Sequence, residues 1–343
     1  MQRLDSIKFK TSLESVILSK KFNNQFFSKK EITLIGNGLK TISYKAKPEK
    51  LGFKQISIND NNVQIQLSAK ILREQYPDLI NSSTIERVFH EINKTGLITF
   101  DIPSAIDASE VLHCDVTKNL QLNEEPHSYI HILNCYNTNP RYNVKYFDSK
   151  KNNGVLFEGN QTSFTERFYA YDKYKEIQRK QGGNPELKEI LAKNGSLDQF
   201  KTTLRMETNI LELRNIRKKF NIPDNKLTSI LDSNVNVLSK LLQKITANVT
   251  PAESLDNYIG SGKPLADLEK IEGRINIINK LGRDIKRIIE FINVTRKQGT
   301  NNYRIIQIYK EILLALNQYD NNNPLPTGYN DNIKQIFELL KAE

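Results

Sequence analysis

The chain has 343 residues, 38% of them hydrophobic, and a formal net charge of +11 from 50 Lys and Arg against 39 Asp and Glu. That size fits one large domain or two ordinary ones. The basic excess points to a polyanionic partner: nucleic acid first, an anionic membrane surface second, with a basic bias of the host proteome as the plain alternative. The only two cysteines, Cys114 and Cys135, support neither a disulfide framework nor a four-ligand zinc site and suit a reducing cytosol. The amino terminus lacks the apolar run of an export signal. No stretch approaches the roughly 18 apolar residues of a membrane span. A cytoplasmic protein without a membrane partner is expected.

From Ile7 to about Leu72 apolar residues alternate with polar ones, as in Ile32 to Ile35, Thr41 to Tyr44 and Val63 to Leu67. Turn signals at Gly36-Asn37-Gly38 and Asn59 to Asn62 separate these runs, so antiparallel strands joined by hairpins are expected. Asn81 to Thr84 then offer polar capping groups before Ile85, Val88, Phe89 and Ile92, whose spacing predicts an amphipathic helix ending near Gly96. Strands are predicted at Val111 to Leu122, Tyr142 to Phe147, Gly154 to Gly159, Arg167 to Lys173 and Thr203 to Leu211. A helix starting at Glu124-Glu125-Pro126 and another after Pro185 interrupt them. Past about Arg214 the period becomes 3.6, in Leu227, Ile230 and Leu231, in Val237, Leu238, Leu241 and Leu242, and in Ile285, Ile288, Ile289 and Ile292. Polar links at residues 257–264 and 321–328 separate these helices. The fold class is therefore α+β: an antiparallel-sheet domain flanked by helices over residues 1–220, and a mainly helical region over 221–343.

Three segments carry groups with chemistry. In Phe168-Tyr169-Ala170-Tyr171-Asp172-Lys173, a strand places Tyr169, Tyr171 and Lys173 on one face. A tyrosine hydroxyl is a weak nucleophile at its ordinary pKa near 10, and a neighbouring ammonium or a metal on the target phosphate would assist its attack. In Leu112-His113-Cys114-Asp115-Val116-Thr117, His113, Asp115 and Thr117 share a face, and in Leu204-Arg205-Met206-Glu207 so do Arg205 and Glu207. Hard oxygen ligands from Asp115 and Glu207 suit Mg²⁺ or Mn²⁺. A cross-strand salt-bridge ladder among His113, Asp115, Arg205 and Glu207 explains the same pattern, and packed strand aromatics explain the tyrosines.

The order of the pieces, Asp115-Val116-Thr117, then Tyr171-Asp172-Lys173-Tyr174-Lys175-Glu176, then Arg205-Met206-Glu207, resembles the filamentous-phage gene II/X replication initiators and, more distantly, rolling-circle plasmid initiators. Ser68-Ala69-Lys70 and Phe220-Asn221-Ile222-Pro223 extend the resemblance, which covers roughly residues 60 to 225. It implies a nicking enzyme in which Tyr171 is the nucleophile. Asp115 and Glu207 are then acidic metal-site positions, and Lys173 and Glu176 a basic and an acidic companion. His113 is a further ligand candidate because it shares the face of Asp115, and Arg205 is a supporting residue. The paired-histidine metal motif of many rolling-circle nickases is absent; among His90, His113, His127 and His131 no His-hydrophobic-His triplet occurs. The implied cofactor is Mg²⁺ or Mn²⁺. The implied partners are origin DNA, single-stranded or supercoiled, with host helicase and polymerase. A non-catalytic replication or partition protein that binds DNA, and a phage structural protein facing packaged nucleic acid, are the rival readings. Arg214 to Lys219 and the helix face of Lys280, Arg283, Lys286 and Arg287 could grip phosphates or be solvated helix surface.

Overall fold

A computed structural model describes residues 2–18, 26–34, 40–47, 52–135, 141–146, 153–159, 166–179, 185–246, 265–295, 302–322 and 329–342. Strands β1 (Leu4–Ser12), β2 (Val16–Leu18), β3 (Phe27–Leu34), β4 (Lys40–Ala46), β5 (Phe53–Ile58) and β6 (Asn62–Ser68) open the chain. The 3-10 segment Ala69–Asp78, α1 (Ile85–Asn93), β7 (Ile98–Phe100) and α2 (Ile102–Ala108) follow. Next come β8 (Glu110–Gln121), α3 (Pro126–Cys135), β9 (Tyr142–Tyr146), β10 (Gly154–Gly159), β11 (Arg167–Asp172), α4 (Lys173–Ile177), α5 (Pro185–Lys193) and β12 (Thr203–Ile210). Helices complete it: α6 (Leu213–Phe220), α7 (Leu227–Leu231), α8 (Val237–Thr246), α9 (Leu265–Lys280), α10 (Ile285–Thr295), α11 (Tyr303–Asn322) and α12 (Tyr329–Lys341). No described helix is long and apolar enough to cross a membrane.

Ten strands form one antiparallel sheet in the order β3-β4-β5-β6-β1-β8-β12-β11-β10-β9. The period of two decides its faces: in β6, Val63, Ile65 and Leu67 are buried while Gln64 and Gln66 between them are half-buried. The Asn59 side chain accepts hydrogen bonds from the backbone N–H groups of Asn61 (3.0 Å) and Asn62 (2.8 Å), which closes the β5–β6 turn. The turn expected at Gly36-Asn37-Gly38 and the link at residues 257–264 lie outside the described residues. Helix α1 buries Ile85, Val88, Phe89 and Ile92, the predicted stripe. Helices α3, α6, α8 and α12 pack against strands β8 to β12.

The expected division at residue 220 falls inside a continuous core. Leu227, Ile230 and Leu231 of α7, Leu238, Leu241 and Leu242 of α8, and Ile336 and Leu340 of α12 are buried in the same cluster as the sheet. What stands apart is α9 to α11, with a core of its own that includes Ile278, Ile285, Ile288, Ile292 and Leu313. Asn221 explains the Phe220-Asn221-Ile222-Pro223 signature. It takes the left-handed conformation (φ 54°) that ends α6, with its N–H on the Arg217 carbonyl, a position favouring Gly or Asn.

A buried carboxylate ties the later helices to the sheet. Glu166, at the start of β11, accepts hydrogen bonds from the Tyr142 hydroxyl (2.5 Å), from Lys219 of α6, and from Lys244 of α8 (2.7 Å). Burial pushes its pKa upward, but Lys219 and the hydrogen bonds outweigh burial and hold it at about 2. A carboxylate held below its unfolded value stabilises the fold above that value and loses the contribution as pH falls through the folded one. Acid titration monitored by circular dichroism is therefore expected to show about 2–3 kcal/mol of stability disappearing between pH 4.5 and about 2. Glu166→Gln should flatten that limb.

Candidate active site

Strands β8, β12 and β11 lie side by side, so residues in register present their side chains together. Asn119 pairs with Arg205 and Arg205 with Tyr171; Thr117 pairs with Glu207 and Glu207 with Tyr169; Asp115 pairs with Asn209. All stand on one face of the sheet, two residues apart along each strand. This register brings the three segments singled out in the sequence into one site.

Tyr171 is partly buried, and its hydroxyl donates to Glu207 Oε2 at 3.0 Å. Burial, then the negative charge of Glu207, raise the Tyr171 pKa well above its usual value, with Arg205 working the other way. Glu207 is itself pushed up to about 7, by burial first and then by Asp5 and Asp115. The phenol–carboxylate pair therefore starts with the proton on Tyr171 and an acceptor that can take it near neutrality.

Arg205 has no exposed surface and holds the floor of the site. Its Nε donates to Asn119 Oδ1 (2.8 Å), and its Nη1 donates to Asp5 Oδ1 (2.8 Å) and to the Tyr76 hydroxyl (2.7 Å). Nη2 is buried with no hydrogen-bond partner among the described residues. Asp5 reaches the guanidinium because β1 has a register irregularity between Leu4 and Ser6 against β8, as a bulge gives. Burial works to raise the Asp5 pKa, and Arg205 with Lys173 and Lys70 overcomes it and lowers the group.

Lys173 departs from its expected place on a strand. The strand ends at Asp172, whose side chain accepts from the backbone N–H of Lys175 (2.9 Å) and caps α4, so Lys173 opens a helix. Its ammonium is still beside the site, buried, 5.7 Å from the Tyr171 ring centroid and 5.2 Å from that of Tyr76, and it donates to Glu176 Oε2 at 2.6 Å. Burial and then Arg205 lower its pKa. Glu176 is lowered in turn, since Lys173 outweighs its own burial.

The metal-ligand candidates share the face without converging. Asp115 Oδ1 faces His113 Nε2 at 3.1 Å and accepts from Asn209 Nδ2 at 2.6 Å, while Glu207 faces Tyr171. Among the described residues no three His, Cys, Asp or Glu side chains come together as a group able to hold an ion. In kind the donors do fit a hard divalent ion, because Asp115 and Glu207 repel each other enough to help raise Glu207. Mg²⁺ commonly takes one or two carboxylates and completes its shell from water and substrate phosphate. Of the rival tyrosines, Tyr169 pairs directly with Glu207 across the ladder and has a side-chain hydrogen bond with Arg167, and Tyr174 lies on α4 packed against the core.

Asp5, Tyr76, Asn119 and Asn209 belong to the site and were not found from sequence. Asn119 and Asn209 were reachable, since each extends an alternation already recognised. Asp5 and Tyr76 depend on a bulge and on an irregular 3-10 segment, for which periodicity offers no signal.

The raised Glu207 carries a stability cost. A group whose folded pKa lies above the unfolded one stabilises the fold below the unfolded value and loses that contribution as pH rises through the folded value. Glu207→Gln, which keeps an acceptor for Tyr171, should be more stable than the parent at pH 8, by at most about 3 kcal/mol, with the gain vanishing towards pH 4.5. Thermal melts of both proteins across that range check this.

A rolling-circle replication initiator from Geobacillus stearothermophilus aligns over 75% of this chain and 82% of its own, at 8% identity and a TM-score of 0.26, a likeness too distant to bear on fold or chemistry. No curated protein matches the chain. Residues 82–229 match the family model for the N-terminal part of the phage replication-associated protein of the gene II type. The matched stretch contains β8, β11 and β12 with Asp115, Tyr171, Lys173, Arg205 and Glu207. Over this segment, somewhat less than half of the chain, the sequence is similar to the gene II family of phage replication-associated proteins.

Proposed function

We propose that the chain is a rolling-circle replication initiator that nicks origin DNA through Tyr171 and rejoins the displaced strand, working in the host cytoplasm. The observation that supports this most is the Tyr171 hydroxyl on Glu207 Oε2 at 3.0 Å, beside the buried cation Arg205. Such a pair supplies both a nucleophile and the base that takes its proton.

In the proposed step, Tyr171 Oη bonds to the scissile phosphorus while its proton passes to Glu207. The bond from phosphorus to the 3′-oxygen breaks, and that oxygen takes a proton from water. The products are a 5′-phosphotyrosine and a 3′-hydroxyl able to prime the host polymerase, with a helicase opening the duplex ahead. The reverse transfer, with Glu207 returning the proton, closes the strand. Arg205 and Lys173 lie where their charges offset the negative charge that develops on Tyr171 and the phosphate. A divalent ion, Mg²⁺ or Mn²⁺, would be held by Asp115 and Glu207, with His113 as a further ligand candidate. When bound, it neutralises charge on the phosphate oxygens.

Incubation with single-stranded origin DNA and Mn²⁺ is expected to leave a denaturation-resistant adduct on the peptide containing Tyr171. Tyr171→Phe should bind the DNA with unchanged affinity and leave none. If the parent protein binds the DNA but forms no adduct, the chain is a non-catalytic DNA-binding protein. An adduct on Tyr169 or Tyr174 would move the nucleophile. Asp115→Asn should slow adduct formation more than tenfold at limiting Mn²⁺.

A further inference from the structure

The candidate site opens in one direction. Side-chain exposure rises from Arg205, 0%, through Asp115, 13%, and His113, 24%, to Lys10 on β1, 37%. The register carries that path onto the N-terminal strands. Across β8 and β1, Asp115 pairs with Ser6, His113 with Lys8 and Glu110 with Lys10. Lys8 and Lys10 pair with Gln66 and Gln64 of β6, which pair in turn with Gln55 and Ser57 of β5.

Alternation makes these residues one continuous polar face. Ile7, Phe9, Val63, Ile65 and Ile56 are buried on the opposite side, where Phe9 meets Phe89 of α1 with ring centroids 5.4 Å apart. Lys8, Lys10, Gln55, Ser57, Gln64 and Gln66 are half-buried, and no apolar side chain stands among them for a helix to cover. Ser57 accepts from Gln55 Nε2 at 2.8 Å and lies 2.9 Å from the Ser43 hydroxyl, while Lys10 faces Glu110 at 3.0 Å. Among the described residues, the Gln64 and Gln66 side chains have no hydrogen-bond partner and Lys8 has no ion pair.

The flank beyond Tyr171 differs. There Glu158 of β10 accepts from Arg167 Nε at 2.8 Å and from Lys145 Nζ at 2.6 Å, so the charges of that side satisfy one another. The unengaged donors and acceptors lie towards β1 and β6.

A glutamine amide offers two donors and an acceptor, and it pairs with adenine N6 and N7 in the major groove. Three adjacent strands span two strand spacings, roughly 10 Å, against a groove about 12 Å wide. Single strands are held largely by stacking on aromatic rings, and this face carries none. We propose that the polar face of β1, β6 and β5 sits in the major groove of duplex DNA beside the nick, where Gln64 and Gln66 read base edges and Lys8 holds a phosphate. The position beside the nick rests on the nicking reading; the groove contact does not.

The test starts from a pool of short duplexes of random sequence, from which the full chain should enrich one sequence. Gln64→Thr/Gln66→Thr, which keeps good strand formers, should bind the enriched duplex at least about tenfold more weakly and a scrambled duplex as the parent does. Lys8→Gln should weaken both duplexes equally and make the slope of log affinity against log salt shallower by about 0.9, one phosphate contact. Lys145→Gln, on the self-satisfied flank, should change neither. Failure to enrich any sequence overturns the proposal, as does an equal loss on scrambled duplex or on the single strand of the enriched sequence in the glutamine variant. A loss from Lys145→Gln as large as that from Lys8→Gln overturns it too, whatever the glutamine variant does. Absence of a Tyr171 adduct in the parent protein would defeat the nicking reading and leave the groove contact to be judged on these affinities.

Discussion

The site depends on one buried cation. Arg205 joins three parts of the chain that are distant in sequence: Asp5 in the first strand, Tyr76 in the 3-10 segment after β6, and Asn119 in the central strand. A guanidinium removed from water is costly unless its donors are met and its charge is balanced. Asp5 supplies the balancing charge, and can do so because β1 is irregular where it passes Asp115. Loss of either partner leaves an uncompensated charge inside the sheet. The N-terminal strand, although outside the stretch matched to the family, is therefore part of the site's construction.

With Arg205 fixed, the neighbouring charges follow. Burial first, and then the charges of Asp5 and Asp115, push Glu207 up to about 7, and Arg205 and Lys173 offset them only in part. A sheet built for stability alone would not keep such a carboxylate beside a tyrosine. In the proposed nicking step the hydrogen bond from Tyr171 uses it, since an acceptor tuned close to the working pH suits a proton transfer from phenol. Lys173 is restrained differently: the Asp172 cap starts a helix and turns the ammonium under the Tyr171 and Tyr76 rings, against Glu176.

Much of this was legible in the sequence, for a definable reason. Strand alternation placed Asp115, Tyr171, Arg205 and Glu207 on faces, and the order of the motifs indicated that those faces meet; the ladder of β8, β12 and β11 agrees. The α1 stripe and the strand at Thr203 were equally plain, because each is long and strongly periodic. Lys173 was misplaced because a capping aspartate breaks the alternation within one residue, and local pattern does not distinguish a capping Asp from an outward-facing one. Asp5 was missed because a bulge shifts which side chain faces which side. The expected boundary near residue 220 marks a change of secondary structure, from strands to helices, while the core continues across it: α7, α8 and α12 still bury their apolar faces on the sheet.

The return of α12 has a structural consequence for the helical unit. Lys118, on the covered side of β8, donates to the carbonyls of Leu340 (3.2 Å) and Ala342, at the C-terminal end of α12 where a cation is favourable. Asn236 donates to the Leu340 carbonyl from the other side, and the Tyr129 hydroxyl of α3 holds Gln335 at 2.5 Å. The chain thus leaves the main core after α8, builds the α9–α11 unit, and comes back to be fastened at α12. A unit attached at both ends has less freedom than one hung from a single linker, so ordering it on a ligand costs less chain entropy.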